Sequence, residues 1–223
     1  MLLVPEFSAV NDFAGTNVEN KFLGFTEADF AVFELEEFAE RMPSLRAHIK
    51  PKLVQLGEIL PEALSQIVGE TLYPHVAQHL RRTVNPPVET WVAFARTKRA
   101  YKPSVHLRVG ISRERVRVTV FVEDYADEKL LFAAHLRRHA CALAEHACLY
   151  PQIVGYETPN EILTEANLIR FADRMERVKG QHAIFGIGLT RAETIEAGAN
   201  LPEKIVAFAR ILLPFYRVER ESL

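Results

Sequence analysis

The sequence is short of cysteine, of glycine motifs and of long apolar runs. Its 223 residues include 2 Cys, 10 Gly and 1 Trp. No run approaches the ~18 apolar residues that suggest a helical membrane span. The opening stretch, MLLVPEFSAVNDFAG, lacks the basic n-region and the apolar length of a secretory signal. Cys141 and Cys148 stand in a segment of helical character. That spacing rises ~10 Å along a helix, beyond the ~7 Å Cα separation a disulfide tolerates. Reduced thiols and a cytoplasmic setting are therefore expected. Without a CxxC, a zinc ribbon or thiol redox motif has no support. The P-loop, the GxSxG elbow and the EF-hand loop are missing too. Gly186-Ile187-Gly188 lacks the third glycine of a dinucleotide loop, and glycine in a buried strand is the better reading. No pattern specifies a cofactor, a metal or an oligomeric state.

What is present is an ordinary soluble composition, 48% hydrophobic and 25% charged, long enough to bury a core without covalent staples. The net charge of −2 hides an asymmetry. Residues 1–72 carry 5 basic and 12 acidic side chains, residues 73–117 carry 10 and 2, and residues 118–223 carry 12 and 15. A cationic central third in an acidic chain points to an anionic ligand.

Met1 to Leu23 shows no clear periodicity and reads as a loose extension, leaving residues 24–223 as one domain. Thr26 suits an N-cap, with acids in the first turn after it. Phe30, Phe33 and Phe38 follow at helical spacing, and Met42-Pro43-Ser44 is expected to break that helix, with Ser44 capping the next. Leu53, Leu56, Ile59 and Leu60 form its stripe, and Gly69 ends the helical region. A helix is expected from Pro74 to Thr83, stopped by Asn85-Pro86-Pro87. Beyond it the period becomes two. Trp91–Arg96, Val105–Ile111 and Arg115–Glu123 read as an antiparallel meander, with Val116, Val118, Val120 and Val122 facing the core. A long helix from Asp127 to Cys148 comes next, then a short strand at Ile153–Tyr156. Thr158-Pro159-Asn160-Glu161 and Thr190-Arg191-Ala192-Glu193 are capping boxes, Ala183–Leu189 a buried strand, and Pro202–Leu213 a last helix. The fold class is α+β: N-terminal helices, an antiparallel meander, then alternating helices and strands in one compact domain.

The candidate site lies in Leu72–Gly110, which holds Trp91, three of the eight His, a double Arg and the Asn-Pro-Pro break. His75 and His79 at i, i+4 would share a helix face with Arg82. A cation there disfavours a metal and suits a phosphate or carboxylate. His106 and Arg108 alternate with apolar residues on the expected second strand, so a helix packed above it would gather His75, His79, Arg82, His106, Lys98, Arg99 and Tyr101. His135, His139 and His146 line one face of the long helix, and boundary positions on an amphipathic surface account for them better than metal ligation. Cys141, Glu145 and Cys148 carry the same low weight as ligands.

His75 to Lys102, HVAQHLRRTVNPPVETWVAFARTKRAYK, resembles the signature of the YktB-like family of uncharacterised bacterial proteins. The resemblance rests on His75, His79, Arg81, Arg82, Asn85, Pro86, Pro87, Trp91, Lys98, Arg99 and Tyr101, and continues at His106 and Gly110. Weaker similarity extends upstream to Phe25–Phe30 and downstream to Leu212–Tyr216. It implies an α+β fold and a cytoplasmic setting, and no activity. Ala100 stands where the pattern has Gly. Arg108, Arg113, Arg115 and Arg117 read as additions on a solvated edge.

The leading functional reading is a pocket for a small anionic ligand. Arg81, Arg82 or Arg99 would clamp it, with Asn85 and Lys98 in support. His75, His79 or His106 would transfer protons, and Trp91 or Tyr101 would stack on a ring. Only Glu89 lies between His75 and Arg113, so binding is favoured over hydrolysis. Single-stranded nucleic acid is the second reading, disfavoured by a pI near 6.5. A structural or protein-interaction role, with the cations paired to the acidic first third, is the third.

Overall fold

The computed structural model describes residues 22–155 and 163–218. Most of the Met1–Leu23 extension and the Thr158 capping box lie outside them.

Helices α1 (Glu27–Ala31), α2 (Phe38–Ser44), α3 (Lys50–Ile59) and α4 (Pro61–Val68) come first. Asp29 accepts from the Thr26 N–H at 2.6 Å and its hydroxyl at 2.9 Å, so α1 starts where the sequence indicated. The expected break at Pro43 is absent. Ser44 keeps helical angles (φ −63, ψ −42), and α2 runs into a wide π-type turn, Leu45–Ile49, before α3. That turn lies between Pro43 and Pro51, neither of which has an N–H for the α-helical ladder.

The sheet has strands β1 (Tyr73–Val76), β2 (Glu89–Ala95), β3 (His106–Ser112), β4 (Arg115–Val122), β5 (Val154–Gly155) and β6 (Ala183–Thr190). Their order is β1-β2-β3-β4-β6-β5, and every pairing is antiparallel. The meander of β2, β3 and β4 is the one read from the alternation. β1 corrects the expected Pro74–Thr83 helix: Tyr73 to Val76 pair with Ala95 to Val92, and His75 lies opposite Ala93. Sheet pairing overrides the helical spacing here, and Pro74 is acceptable because β1 is an edge strand.

The expected long helix is two, α5 (Lys129–Arg138) and α6 (Ala140–Leu149), jointed at His139 (φ −106, ψ 14). α7 (Glu165–Arg177), α8 (Arg191–Ala197) and α9 (Leu201–Tyr216) complete the chain. Among the described residues no helix is long and apolar enough to cross a membrane. His135 and His146 donate from Nε2 to the Pro214 and Ile211 carbonyls at 2.9 and 2.7 Å, so both tie α5 and α6 to α9. Cys141 and Cys148 are free and exposed.

The valine row of β4, with Val92, Phe94 and Phe185, forms the apolar face of the sheet. Gly57 of α3 faces Pro74 and Val92, and Phe132, Phe171 and Phe215 of α5, α7 and α9 all meet the Phe185 ring. These helices therefore cover one face. Among the described residues, the other face carries its own side chains, the loop 96–105 and the segment 123–128. At the end of β6 the Thr190 box is present: Glu193 N–H donates to Thr190 Oγ1, and the Glu193 carboxylate accepts from the Thr190 N–H at 2.8 Å. Thr190→Ala is expected to cost about 1 kcal/mol in urea unfolding, the usual worth of such a cap.

Candidate functional site

Alternation places Trp91, Ala93, His106, Arg108, Arg117, Thr119 and Phe121 on the face away from the helices. Arg108 is its centre and is only 6% exposed. Its guanidinium carbon lies 3.6 Å from the Phe121 ring and 4.3 Å from the Trp91 ring. One Nη donates to His106 Nε2 and to Glu123 Oε1, each at 3.2 Å. His106 Nδ1 donates to the Ser104 carbonyl at 2.9 Å, which leaves Nε2 as the acceptor for Arg108. Burial, with the Arg108 charge beside it, holds the His106 imidazole well below its ordinary pKa. His106 is neutral and fully buried, with both nitrogens engaged.

Tyr101, on the loop 96–105, packs across this face. Its hydroxyl accepts from the Trp91 indole at 3.3 Å. The rings of His75, Tyr101, His106, Phe121 and His182 follow one another at centroid distances of 5.5, 5.0, 5.5 and 6.0 Å, an aromatic strip from β1 to the start of β6. His75 Nε2 donates to the Thr97 carbonyl at 2.8 Å. Lys98 Nζ sits 5.1 Å above the Tyr73 ring.

The second feature lies where β1 ends. Ala77 N–H still bonds the Trp91 carbonyl, and the chain then turns through His79 at φ 50. A left-handed backbone is uncommon outside glycine and often marks a functional turn. The His79 ring meets Trp91 edge-on at 5.2 Å, and its Nε2 lies 3.0 Å from Thr90 Oγ1. A pocket of about 230 Å³ opens beside it, lined by Met42, Leu45, Arg46, Lys50, Ala77, Gln78, His79, Leu80 and Thr90. Lys50 Nζ donates to Gln78 Oε1 at 2.8 Å. No carboxylate is among those lining residues. Burial, then the Arg82 charge, pushes the His79 pKa down to about 4, so its imidazole is neutral at pH 7.

Of the residues singled out in the sequence, His75, Trp91, Tyr101 and His106 come together on the open face, and His79 stands in the pocket. Their meeting comes from strand pairing, since no helix carries His75 and His79. Arg81, Arg82, Asn85, Lys98 and Arg99 are exposed, and the Arg82 guanidinium bonds the Asn85 carbonyl at 3.3 Å. Four contributors escaped the sequence reading. Arg46 and Lys50 come from the helical region before the basic stretch. Glu123 directly follows β4, and Arg108, expected on a solvated edge, is buried. Cross-strand alternation of β3 and β4 is the signal that places Arg108 and Phe121 on one face. Glu123, Asp124 and His182 also bring donor atoms within 4.8 Å of one another, but Glu123 is already the counter-ion of Arg108.

The fold and these sites define a two-layer α+β protein with one antiparallel sheet, helices on one face and a polar–aromatic array on the other. The chain belongs to the family described as Domain of unknown function (DUF1054), which matches residues 25–216. This is the uncharacterised bacterial family indicated by the His75–Lys102 signature. The chain is 32% identical over 200 residues to a UPF0637 protein of Shouchella clausii, covering 87% of this chain and 94% of the relative. It is also 32% identical over 204 residues to one of Oceanobacillus iheyensis, covering 89% and 98%. A Macrococcus caseolyticus relative is 38% identical over 167 residues, covering 73% and 82%.

Proposed function

We propose that the pocket beside His79 binds a small phosphate- or carboxylate-bearing anion, in a protein of the cytoplasm. The observation that carries this is the lining: Arg46 and Lys50 supply charge, Gln78 an amide, Thr90 a hydroxyl and His79 a neutral imidazole, with no carboxylate in the set. Charge-assisted hydrogen bonds of this kind are the strong ones. The volume falls below the ~300 Å³ at which pockets for drug-sized ligands begin, which fits a compact metabolite. Lining the pocket supports His79 as the proton-transfer histidine, because neither His75 nor His106 is among the lining residues and His106 has both nitrogens engaged. The free, exposed thiols of Cys141 and Cys148 suit a reducing compartment.

The test is a melting scan against inorganic phosphate, nucleoside monophosphates and di- and tricarboxylates. A ligand at ~100 times its Kd should stabilise by ~2.7 kcal/mol, which is about 5–11 °C for a domain of this size. An Arg46→Ala/Lys50→Ala protein that still melts cooperatively is expected to lose that shift. Arg81→Ala and Arg99→Ala, outside the lining, are expected to keep it. A flat panel for the parent protein overturns the reading.

A further inference from the structure

We propose that the sheet face turned away from the helices binds single-stranded nucleic acid, independently of the pocket beside His79. Rings, charge and the layering of the fold support this together.

The aromatic strip begins with half-buried rings at the β1–β2 end, His75, Trp91 and Tyr101, and continues into buried ones, His106 and Phe121. The buried members fix the half-buried ones in place: Tyr101 is braced by His106, and Trp91 by Arg108 and by the Tyr101 hydroxyl. Rigid, partly open rings of this kind are what unpaired bases stack on, and stacking tolerates any base. A duplex hides its base faces, so the occupant that uses these rings is single-stranded.

Three acids around this face are engaged by arginines, while Asp124, beside Glu123 and His182, is not one of them. Glu89 accepts from Arg117 at 3.1 and 2.7 Å, Glu123 from Arg108 at 3.2 Å, and Glu128 from Arg96. Lys98, Arg99 and Lys102, on the loop that carries Tyr101, are exposed. Lys102 has the Tyr125 hydroxyl and Glu123 near it, so the charge offered beside the rings, where phosphates would run if bases lay on the sheet, is chiefly that of Lys98 and Arg99. The acidic balance of the chain had counted against this partner, but the acids of residues 27–70 belong to helices α1 to α4 and the turns around them. The helical layer packs on the other face, so most of those acids lie away from the rings, Glu70, which pairs with Arg96, excepted. At about 4.8 Å per strand, the strip from β1 to β6 spans ~19 Å, which suits a footprint at the low end of the ~4–16 nucleotides a comparable sheet surface holds.

Trp91 is the only Trp and touches both this surface and His79 of the pocket, so its emission is read in the parent and in Arg46→Ala/Lys50→Ala. The intact chain is titrated with 12-mers of dT and U, a 12-base-pair duplex and inorganic phosphate, reading Trp91 emission and the anisotropy of labelled strands. The single strands are expected to quench Trp91 and bind more tightly than the duplex. Three or four phosphate contacts predict affinity falling about 20–50-fold between 50 and 200 mM salt. Lys98→Glu/Lys102→Glu is expected to weaken binding at least tenfold. Tyr101→Ala, checked for a cooperative melt, should remove most of the preference for single strands. Arg46→Ala/Lys50→Ala should leave strand binding intact, so failure of the pocket reading and failure of this one are separable. Absence of strand binding at 50 mM salt overturns the proposal, as does duplex binding equal to single-strand binding with Tyr101→Ala without effect. Strand binding that is lost together with a phosphate response in Arg46→Ala/Lys50→Ala assigns both to the pocket and overturns the sheet proposal.

Discussion

Replacing Arg108 by alanine is expected to cost the fold about 3–5 kcal/mol, the range for removing one member of a buried ion pair. Three losses coincide. Glu123 is left with its counter-ion gone, the buried Nε2 of His106 loses its donor, and the slot between Trp91 and Phe121 is emptied. The pair itself is not the main source of stability, because burial already pulls the Arg108 pKa down, partly offset by Glu123. Arg108→Met with Glu123→Gln should therefore recover much of the loss, since it fills the slot and removes both charges together. Urea unfolding of the two singles and the double closes the cycle. The double is expected to be less damaging than the sum of the singles. A loss under about 1 kcal/mol for Arg108→Ala would mean that the guanidinium is not held as described.

Arg108 also shows where sequence reading stops. The valine row of β4 was legible because four apolar residues at period two have only one place to go. The polar row opposite it was ambiguous, since alternation alone cannot say whether such a row meets water or a neighbouring side chain. What decides is Phe121 and Glu123, brought beside Arg108 by a hairpin register that no local pattern specifies. Counting carboxylates near His75 along the chain found only Glu89 and missed Glu123 for the same reason.

His75 and His79 failed differently. Their spacing is helical, but Val76 pairs with Val92, and the chain then leaves the sheet through the left-handed turn at His79. A four-residue edge strand with an exposed proline gives almost no alternation to read. The cations that line the pocket, Arg46 and Lys50, lie in and beside the wide turn between Pro43 and Pro51. The sequence shows that both prolines are there; it does not show that the turn between them aims two cations at a histidine some thirty residues on.

Lowering the pH from 7 to 4.5 is expected to destabilise the free protein through His79. Its folded pKa is about 4, and its unfolded value is ~6.5. Between those values the unfolded chain binds a proton that the native state refuses, so stability falls as pH falls. The contribution is whole above ~6.5 and gone below about 4. The gap corresponds to ~3.4 kcal/mol at face value, and solvent screening of this partly exposed ring reduces it to about 1–2 kcal/mol. His106, held down by burial and then by Arg108, acts with the same sign. His79→Asn tolerates the left-handed backbone and should flatten part of the slope, as measured by melts from pH 8 to 4.5 in anion-poor buffer. An anion in the pocket reverses the electrostatics. A negative charge beside the imidazole favours its protonated form, so ligand binding should take up a proton and tighten as pH falls from 7.5 to 5.5. Calorimetric titration with phosphate in buffers of different ionisation enthalpy measures that uptake directly. Phosphate's own second ionisation near this range sets the baseline, which His79→Asn supplies. Proton uptake equal in the two proteins would separate His79 from the ligand, and uptake above the His79→Asn baseline would place the imidazole against it.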